Sequence, residues 1–287
     1  MTVASLSRIR AVRNEGYPVG ATLLRNALLL GIGATFFVPL IWMFAASFDA
    51  KPSFSLAWPH WSVTNYRNAL GGGRAAQPLW NSFVLAAGSA LISTTIGLLA
   101  AYALSRLQLR FKRALLLTIL FATGLPLEVL MIPAFSLFVR ENLVDSVPAT
   151  IVFLSATSLP FSIWLLKNFI DQIPIEIEEA AEVDGAGPLE RIRRHVLPLA
   201  GAGIAVSALF SFMNAWGQFI IPFVLLESPS KAPASVAIYQ FLTAFGRVQY
   251  GPLAAFGLVF SLPVVVLYLA LSRYIAGGFS FGGGIKG

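Results

Sequence analysis

The sequence predicts an all-α membrane protein: six transmembrane helices, with a helical loop between the fourth and the fifth. Three observations carry that prediction. Of 287 residues, 57% are hydrophobic and only 11% charged, against about 25% charged in an ordinary soluble domain. Runs free of charged side chains cover residues 26–48, 75–105, 114–127, 129–139, 146–166, 196–226 and 248–272. The cations, finally, divide unevenly among the segments that join these runs.

A helix crossing the hydrocarbon core takes roughly 20 apolar residues. Joining the two runs that flank Glu128 gives spans near 26–47, 81–104, 114–138, 147–167, 199–226 and 253–273. The first follows a basic segment, 1–25, and exceeds the roughly 7–15 residues of a secretory signal core. With five spans after it, it reads as an uncleaved first helix. In the loop 49–80, Trp58, Trp61, Tyr66 and Trp80 suit an interfacial aromatic belt. The second span carries small residues at Ala86/Ala90 and Gly97/Ala101, a pattern that lets neighbouring helices approach closely.

Glu128 is the one formal charge inside a span. Such an acid faces a cavity or a partner, or else it is a protonated or hydrogen-bonded packing residue. In the fifth span Asn214, Trp216 and Gln218 stand two apart, so on a regular helix they do not share a face. Gly217 and Pro222 could loosen that helix, as in the discontinuous helices of transport sites; interhelical hydrogen bonding is the plainer role for the polar residues. Between Lys231 and Arg247, "APASVAIYQFLTAFG" has only 15 uncharged residues and an early proline. An interfacial or re-entrant helix fits it better than a seventh span.

With six spans, 14 of the 20 Lys and Arg fall on the side of the N-terminus, so the positive-inside rule puts both termini in the cytoplasm. Orientation then explains the net charge of +7. Nucleic-acid binding is the weaker reading, because the basic residues are spread over four segments with no aromatic-rich surface. The absence of cysteine removes disulfides, thiolate nucleophiles and cysteine metal sites. His60 and His195 lie on opposite sides in this topology and cannot form one metal site. No G-x-x-x-x-G-K-[ST] loop, nucleophile elbow or H-E-x-x-H pair occurs, and the glycine clusters "GGGR" (71–74) and "GGGIKG" (282–287) read as loop and tail. The chain is therefore not expected to bind ATP or a cofactor of its own.

Six of the 13 acidic residues crowd into "IEIEEAAEVDGAGPLERIRRHVLPL", residues 175–199, between the fourth and fifth spans. Pro174 suits a first helical turn, and Glu176, Glu178 and Glu179 follow where acids complement the helix dipole. Gly185 stands where a helix C-terminus favours positive φ, and Gly187-Pro188 supplies a new start. The second helix ends before Pro198, its cations toward its C-terminus. Glu178, Glu179 and Glu182 are spaced to share one face, while Ile177, Ala180 and Ala181 give a smooth, small one. A solvated loop accounts for the charges; a docking element for a partner accounts also for the paired caps and the tight turn.

The segment "EAAEVDGAGPLERIRRHVLPL" resembles the EAA motif of binding-protein-dependent ABC importer permeases. Glu179, Ala180, Ala181, Asp184, Gly185, Val196 and Pro198 match that pattern. "VTNYRNAL" (63–70), "LPLEVLMIPAF" (125–135) and the ending "RYIAGGFSFGGGIKG" resemble the carbohydrate-importer branch typified by the maltose permease subunit MalG. The resemblance implies a cytoplasmic N-terminal segment (1–25), a permease domain (26–276) with its EAA loop at 171–198, and a cytoplasmic tail (277–287).

It further implies a bacterial or archaeal inner-membrane protein that pairs with a second, MalF-like permease. The other implied partners are a cytoplasmic ATPase dimer, which holds the ATP and magnesium, and an extracytoplasmic solute-binding protein. Glu178, Glu179, Ala180, Ala181, Asp184, Gly185 and Pro198 would then couple to the ATPase, with Glu179 and Gly185 central, and Glu128, Asn214, Trp216 and Gln218 are candidates for the substrate path. A mono- or oligosaccharide is the implied substrate, with a polar solute such as glycerol phosphate as the alternative. Two other classes stay open, a secondary transporter and a membrane scaffold. The first should show paired repeats that the sequence lacks, and neither explains the capped loop.

Overall fold

The computed structural model describes residues 19–52, 58–71, 75–241 and 248–283, so most of the N-terminal segment, the "GGG" of the tail in part and residues 242–247 lie outside the described residues. Among those described, the secondary structure is helical, with one isolated antiparallel bridge between Asp49 and Trp61. Four helices are long and apolar enough to cross a membrane: α1 (Val19–Ser47), α3 (Ala76–Arg106), α6 (Val147–Ile170) and α12 (Tyr250–Gly283). Two bent pairs, Lys112–Thr123 with Leu127–Arg140 at 97° and Pro188–Leu199 with Gly201–Gly217 at 77°, bring the number to as many as six.

The third predicted span is one of these pairs. Instead of one helix over 114–138, α4 (Lys112–Thr123) and α5 (Leu127–Arg140) meet at 97°. The cause is the intervening Gly124-Leu125-Pro126, since a proline drives the residue before it out of the helical region. Pro126 itself is extended, with φ −62° and ψ 128°, and α5 starts immediately after it.

The fifth predicted span breaks where its glycine and proline indicate. Helix α9 (Gly201–Gly217) stops at Gly217, Gln218 is extended, and α10 (Ile220–Leu225) restarts with Pro222 in its first turn. The stretch 232–246 is no span: a short helix, α11 (Ala234–Ala237), runs into a 3₁₀ turn, Ile238–Phe241, and the rest lies outside the described residues.

Helices α3, α6 and α9 form the packed centre, α12 lies against α9 and α1, and α4 lies against α6. Small residues set the spacing: a Cβ on Gly97 would meet Ser162 at 3.1 Å, and one on Gly203 would meet Phe169 at 2.6 Å. Ala86 and Ala101 are fully buried on the same seam, as the pattern of small residues predicts. Hydroxyls line it too, with Ser162 and Ser211 sharing a hydrogen bond of 3.1 Å between α6 and α9. By contrast α1 turns its apolar side chains outward, Leu30 and Phe36 being more than 70% exposed; a helix apolar all round belongs in lipid.

At one end of the bundle two clasps hold the helix ends. Asn65, in α2 (Thr64–Leu70), donates to the carbonyls of Ala46, Ser47 and Asp49 at 3.2, 3.2 and 2.7 Å, and so closes the C-terminus of α1. Tyr66 beside it bonds the Ser47 hydroxyl at 3.0 Å. The family-like stretch "VTNYRNAL" thus acts here as a cap for the first span. The second clasp centres on Asp145, whose φ is +62°. Its carboxylate accepts from the Ser228 hydroxyl at 2.6 Å and from Lys231 Nζ at 2.7 Å. Nearby, Asn81 donates to the carbonyls of Ser230 and Ala232 at 2.8 and 3.1 Å, which fixes the same loop to α3.

Candidate coupling site and substrate path

The opposite end carries the acidic segment as two helices, α7 (Glu176–Val183) and α8 (Pro188–Leu199). Between them Gly185 adopts φ +89°. The Ala186 N–H bonds the Ala181 carbonyl at 2.9 Å and the Gly185 N–H bonds that of Glu182 at 3.0 Å. That pair of bonds is a Schellman motif, the helix ending for which a glycine at positive φ is suited. Gly187 then caps α8, with Pro188 as its first helical residue, and Glu182 pairs with Arg191 across the turn. The helix, turn and helix expected from the sequence are all present.

Two details differ from expectation. Helix α8 does not stop before Pro198 but runs on to Leu199, and residues Ile192–Val196 are wound as a π-helix. A proline ring clashes with the carbonyl four residues back in an α-helix. The wider turn, closed by a bond from Leu197 N–H to the Ile192 carbonyl, accommodates Pro198 without ending the helix.

Glu178 is the second difference. It does not share the outer face with Glu179 and Glu182 but is buried, 5% exposed, with Ala181 beside it. Arg106 Nε, at the end of α3, donates to its Oε1 at 2.6 Å, and the Tyr102 hydroxyl donates to its Oε2 at 2.7 Å. Arg106 also bonds the Ile173 carbonyl at 2.8 Å. Next to this pair the Ser105 hydroxyl donates to Asp171 Oδ1 at 2.6 Å and Lys167 Nζ to its Oδ2 at 2.5 Å. Burial alone would raise the Asp171 carboxyl, but these two bonds outweigh it and hold the group below the ordinary carboxylate value. The acidic helix therefore stands on a base of charge-assisted hydrogen bonds from α3 and α6.

What remains exposed is a compact tip: Glu179, Ala180, Glu182, Asp184 and Gly185, together with Val183 and Leu189, which are 88% and 78% exposed. Pro198 is exposed at the far end of α8, while Val196 is buried against α3 and α6. Large apolar side chains this open on a charged turn are the composition of a contact surface.

The residues considered for the substrate path do not come together. Trp216 is buried, stacked between Phe212 and Phe260, and its indole N–H bonds the Phe260 carbonyl at 3.1 Å. Gln218 is spent on the helix break: its Oε1 accepts from the Ile220 N–H at 3.2 Å and its carbonyl from the Ser235 hydroxyl at 2.8 Å. Asn214 is open, on a stripe with Phe210, Met213 and Gly217, positions that recur at i, i+3, i+4 and i+7 on one helix face. Glu128 is also open, in the first turn of α5 where a carboxylate complements the helix dipole. Sequence spacing separated Asn214 from Trp216 correctly, but it could not say which of them pointed inward.

An all-helical, multi-span membrane protein that presents a capped helix, turn and helix at one end is the architecture of a transport permease, and comparison with known proteins identifies which kind. Residues 93–279 match the model of the family described as binding-protein-dependent transport system inner membrane component. Among its relatives, the inner membrane ABC transporter permease protein YcjP of Escherichia coli is 34% identical over 72% of this chain and 73% of its own length. The trehalose/maltose transport system permease protein MalG of Thermococcus litoralis is 30% identical, covering 92% and 96%. The trehalose transport system permease protein SugB of Mycobacterium tuberculosis is also 30% identical, covering 87% and 92%. A chain in the crystal structure of a bacterial ABC transporter importing the acidic polysaccharide alginate has the same fold, with a TM-score of 0.76 over 90% of this chain and 98% of that one at 22% identity. The chain belongs to the binding-protein-dependent transport system inner membrane component family. It is a transmembrane permease subunit that passes several times through the inner membrane.

Proposed function

We propose that this permease imports a sugar, as one half of a translocation path whose other half is a different, MalF-like permease. In this reading it has six spans, α4/α5 being the third and α9/α10 the fifth. Both termini are cytoplasmic, with the permease domain over 26–276 and its EAA loop over 171–198. A solute-binding protein delivers the substrate from outside. A separate ATPase dimer supplies the energy, binding ATP and magnesium, and the permease needs no cofactor of its own. Support for a sugar comes from relatives whose names specify trehalose, diacetylchitobiose, glucose and sulfoquinovosyl glycerol.

The observation that carries the coupling role is the exposed tip of α7 and its Gly185 turn, presented from a buried ionic base. A turn that must transmit force between a soluble motor and a bundle needs both an accessible surface and a stiff foundation. Within the tip, Glu179, Ala180, Asp184 and Gly185 meet the ATPase; Glu178, Ala181 and Pro198 fix the frame behind them. For the path we assign Glu128 and Asn214, the two of the four candidates whose side chains are open. Mild solubilisation followed by mass spectrometry of what stays bound tests the assembly. Recovery of a second permease and an ATPase, the ATPase lost on Gly185→Leu, is the expected result. Recovery of this chain alone under several mild detergents would overturn it. Uptake of labelled sugars by cells with and without the chain tests the substrate, and unchanged uptake of every sugar would remove that part of the reading.

A further inference from the structure

The cleft between the start of α4 and the end of α6 has a chemistry that the transport reading does not use. It is a recess of about 580 Å³, within the range of small-molecule sites. Three cations line its mouth: Arg110, Lys112 and Arg113. Among the described residues none of the three has a carboxylate partner within ion-pair distance; Lys112 hydrogen-bonds the Ser105 carbonyl at 3.4 Å and acts on the Asp171 carboxylate from farther off, while Arg110 lies 5.9 Å from the Phe111 ring centre. Lys167 also borders the recess, but it is committed to Asp171. The back wall is apolar and open, with Leu117 59% and Leu120 50% exposed, and Trp164 stands at the edge, 41% exposed.

Cations at the mouth, leucines running along α4 toward the middle of the bundle and an indole at the boundary specify an amphiphile. Its head must be anionic and its tail a hydrocarbon chain. A soluble anion would leave the leucine wall bare, and a neutral lipid would leave Arg110 and Arg113 unanswered. We infer that this cleft binds the head and first acyl segment of an anionic phospholipid. Basic pockets between membrane helices on the cytoplasmic side take such headgroups, and tryptophan is enriched at that depth. The inference rests on the reading that this end of the bundle faces the cytoplasm. The bound lipid would stiffen the α4 to α6 contact beside the Lys167–Asp171 pair that lies beneath the acidic helix.

The test is native mass spectrometry of the intact transporter extracted from vesicles of phosphatidylglycerol and phosphatidylcholine in equal parts. The parent is expected to retain phosphatidylglycerol selectively. The variant Arg110→Gln/Arg113→Gln is expected to hold it about 30-fold more weakly, the equivalent of about 1 kcal/mol for each cation removed near a membrane surface. Equal retention of the two lipids by the parent, or undiminished retention by the variant, would overturn the site. A photo-crosslinker in place of Leu117 should yield a lipid adduct, and a polypeptide adduct instead would assign the cleft to a partner chain and end the proposal. Because the chain has no cysteine, Arg110→Cys can be probed separately with an impermeant maleimide. Labelling only in inside-out vesicles supports the orientation, and labelling of intact cells would overturn it whatever the lipid result.

Discussion

Arg106 and Glu178 form a buried ion pair, Nε to Oε1 at 2.6 Å with side-chain exposures of 12% and 6%, that joins the end of the second predicted span to the helix of the acidic turn. Removing one partner leaves the other charge buried and unpaired, a loss of about 3–5 kcal/mol. Glu178→Met and Arg106→Met alone should therefore each lower the unfolding midpoint of the detergent-solubilised protein markedly. The double variant replaces the pair by apolar side chains of similar length and should recover most of the loss, since such replacements are often near neutral. Additive losses would mean that the pair does not act as a unit.

Gly185 gives the cleanest separation of shape from packing. A Cβ there would meet nothing within 4 Å, yet φ is +89°. Any penalty for a side chain is therefore conformational, about 1–2 kcal/mol for most residues and least for Asn or Asp. Gly185→Leu should abolish uptake with the membrane level of the chain unchanged, and Gly185→Asn should retain a substantial part of it. Equal loss in both variants would point to exclusion of a partner by bulk rather than to the turn.

That turn was legible in the sequence because glycine, proline and a run of acids are local signals. So was the break at Gln218, where Gly217 and Pro222 stand close together. The 97° bend at 124–126 was written just as locally, in Gly-Leu-Pro. Hydropathy is blind to direction, though, and two collinear runs read as one span. Glu178 failed for a different reason. Spacing among acids predicts a face, but the residue that turned it inward, Arg106, is 72 positions away. Only the i, i+3 relation of Glu178 to the small, buried Ala181 hinted at it.

Asn65 carries the end of the first span. Replacing it with Leu leaves the carbonyls of Ser47 and Asp49 without their donor and that of Ala46 with only the Asp49 N–H, at about 1–3 kcal/mol for each buried group left unpaired. Cleavage by an added protease within 48–63 should accelerate relative to the parent. Gly251→Ala, whose Cβ would fall 2.4 Å from Asn65 Nδ2, should produce the same pattern from the other side of the contact.

The Asp145 clasp predicts a pH dependence. Hydrogen bonds from Lys231 and then from the Ser228 side chain and backbone hold this carboxyl far below its ordinary value of 3.8. A group depressed on folding contributes its stabilisation fully above the unfolded value and loses it as pH falls through the folded one. The difference in unfolding midpoint between the parent and Asp145→Asn should therefore stay constant from pH 7 to 5. It should shrink only in more acidic solution than the ordinary carboxylate value. Shrinkage near neutrality would show that Asp145 is not the ionised centre of the clasp.

Glu128 and Asn214 should affect transport and little else. Glu128→Gln and Asn214→Ala are expected to lower sugar uptake several-fold while the chain still purifies with its partners, because both side chains are open and neither is bonded among the described residues. Trp216→Ala should instead destabilise the bundle by about 3–5 kcal/mol. Wild-type uptake in both open-site variants would place the path elsewhere.

The π turn at Ile192–Val196 has a consequence for rotation as well as for Pro198. One residue more than an α-helix needs lies between the acidic turn and the fifth span, and each helical residue advances the chain by about 100° around its axis. The direction in which the tip faces is thus set by the residue inserted along α8 together with the 77° bend between α8 and α9, as the angle of a key's bit is set along its shaft. Chains that share the tip but lack the extra residue would offer the same surface to a different quarter of the motor.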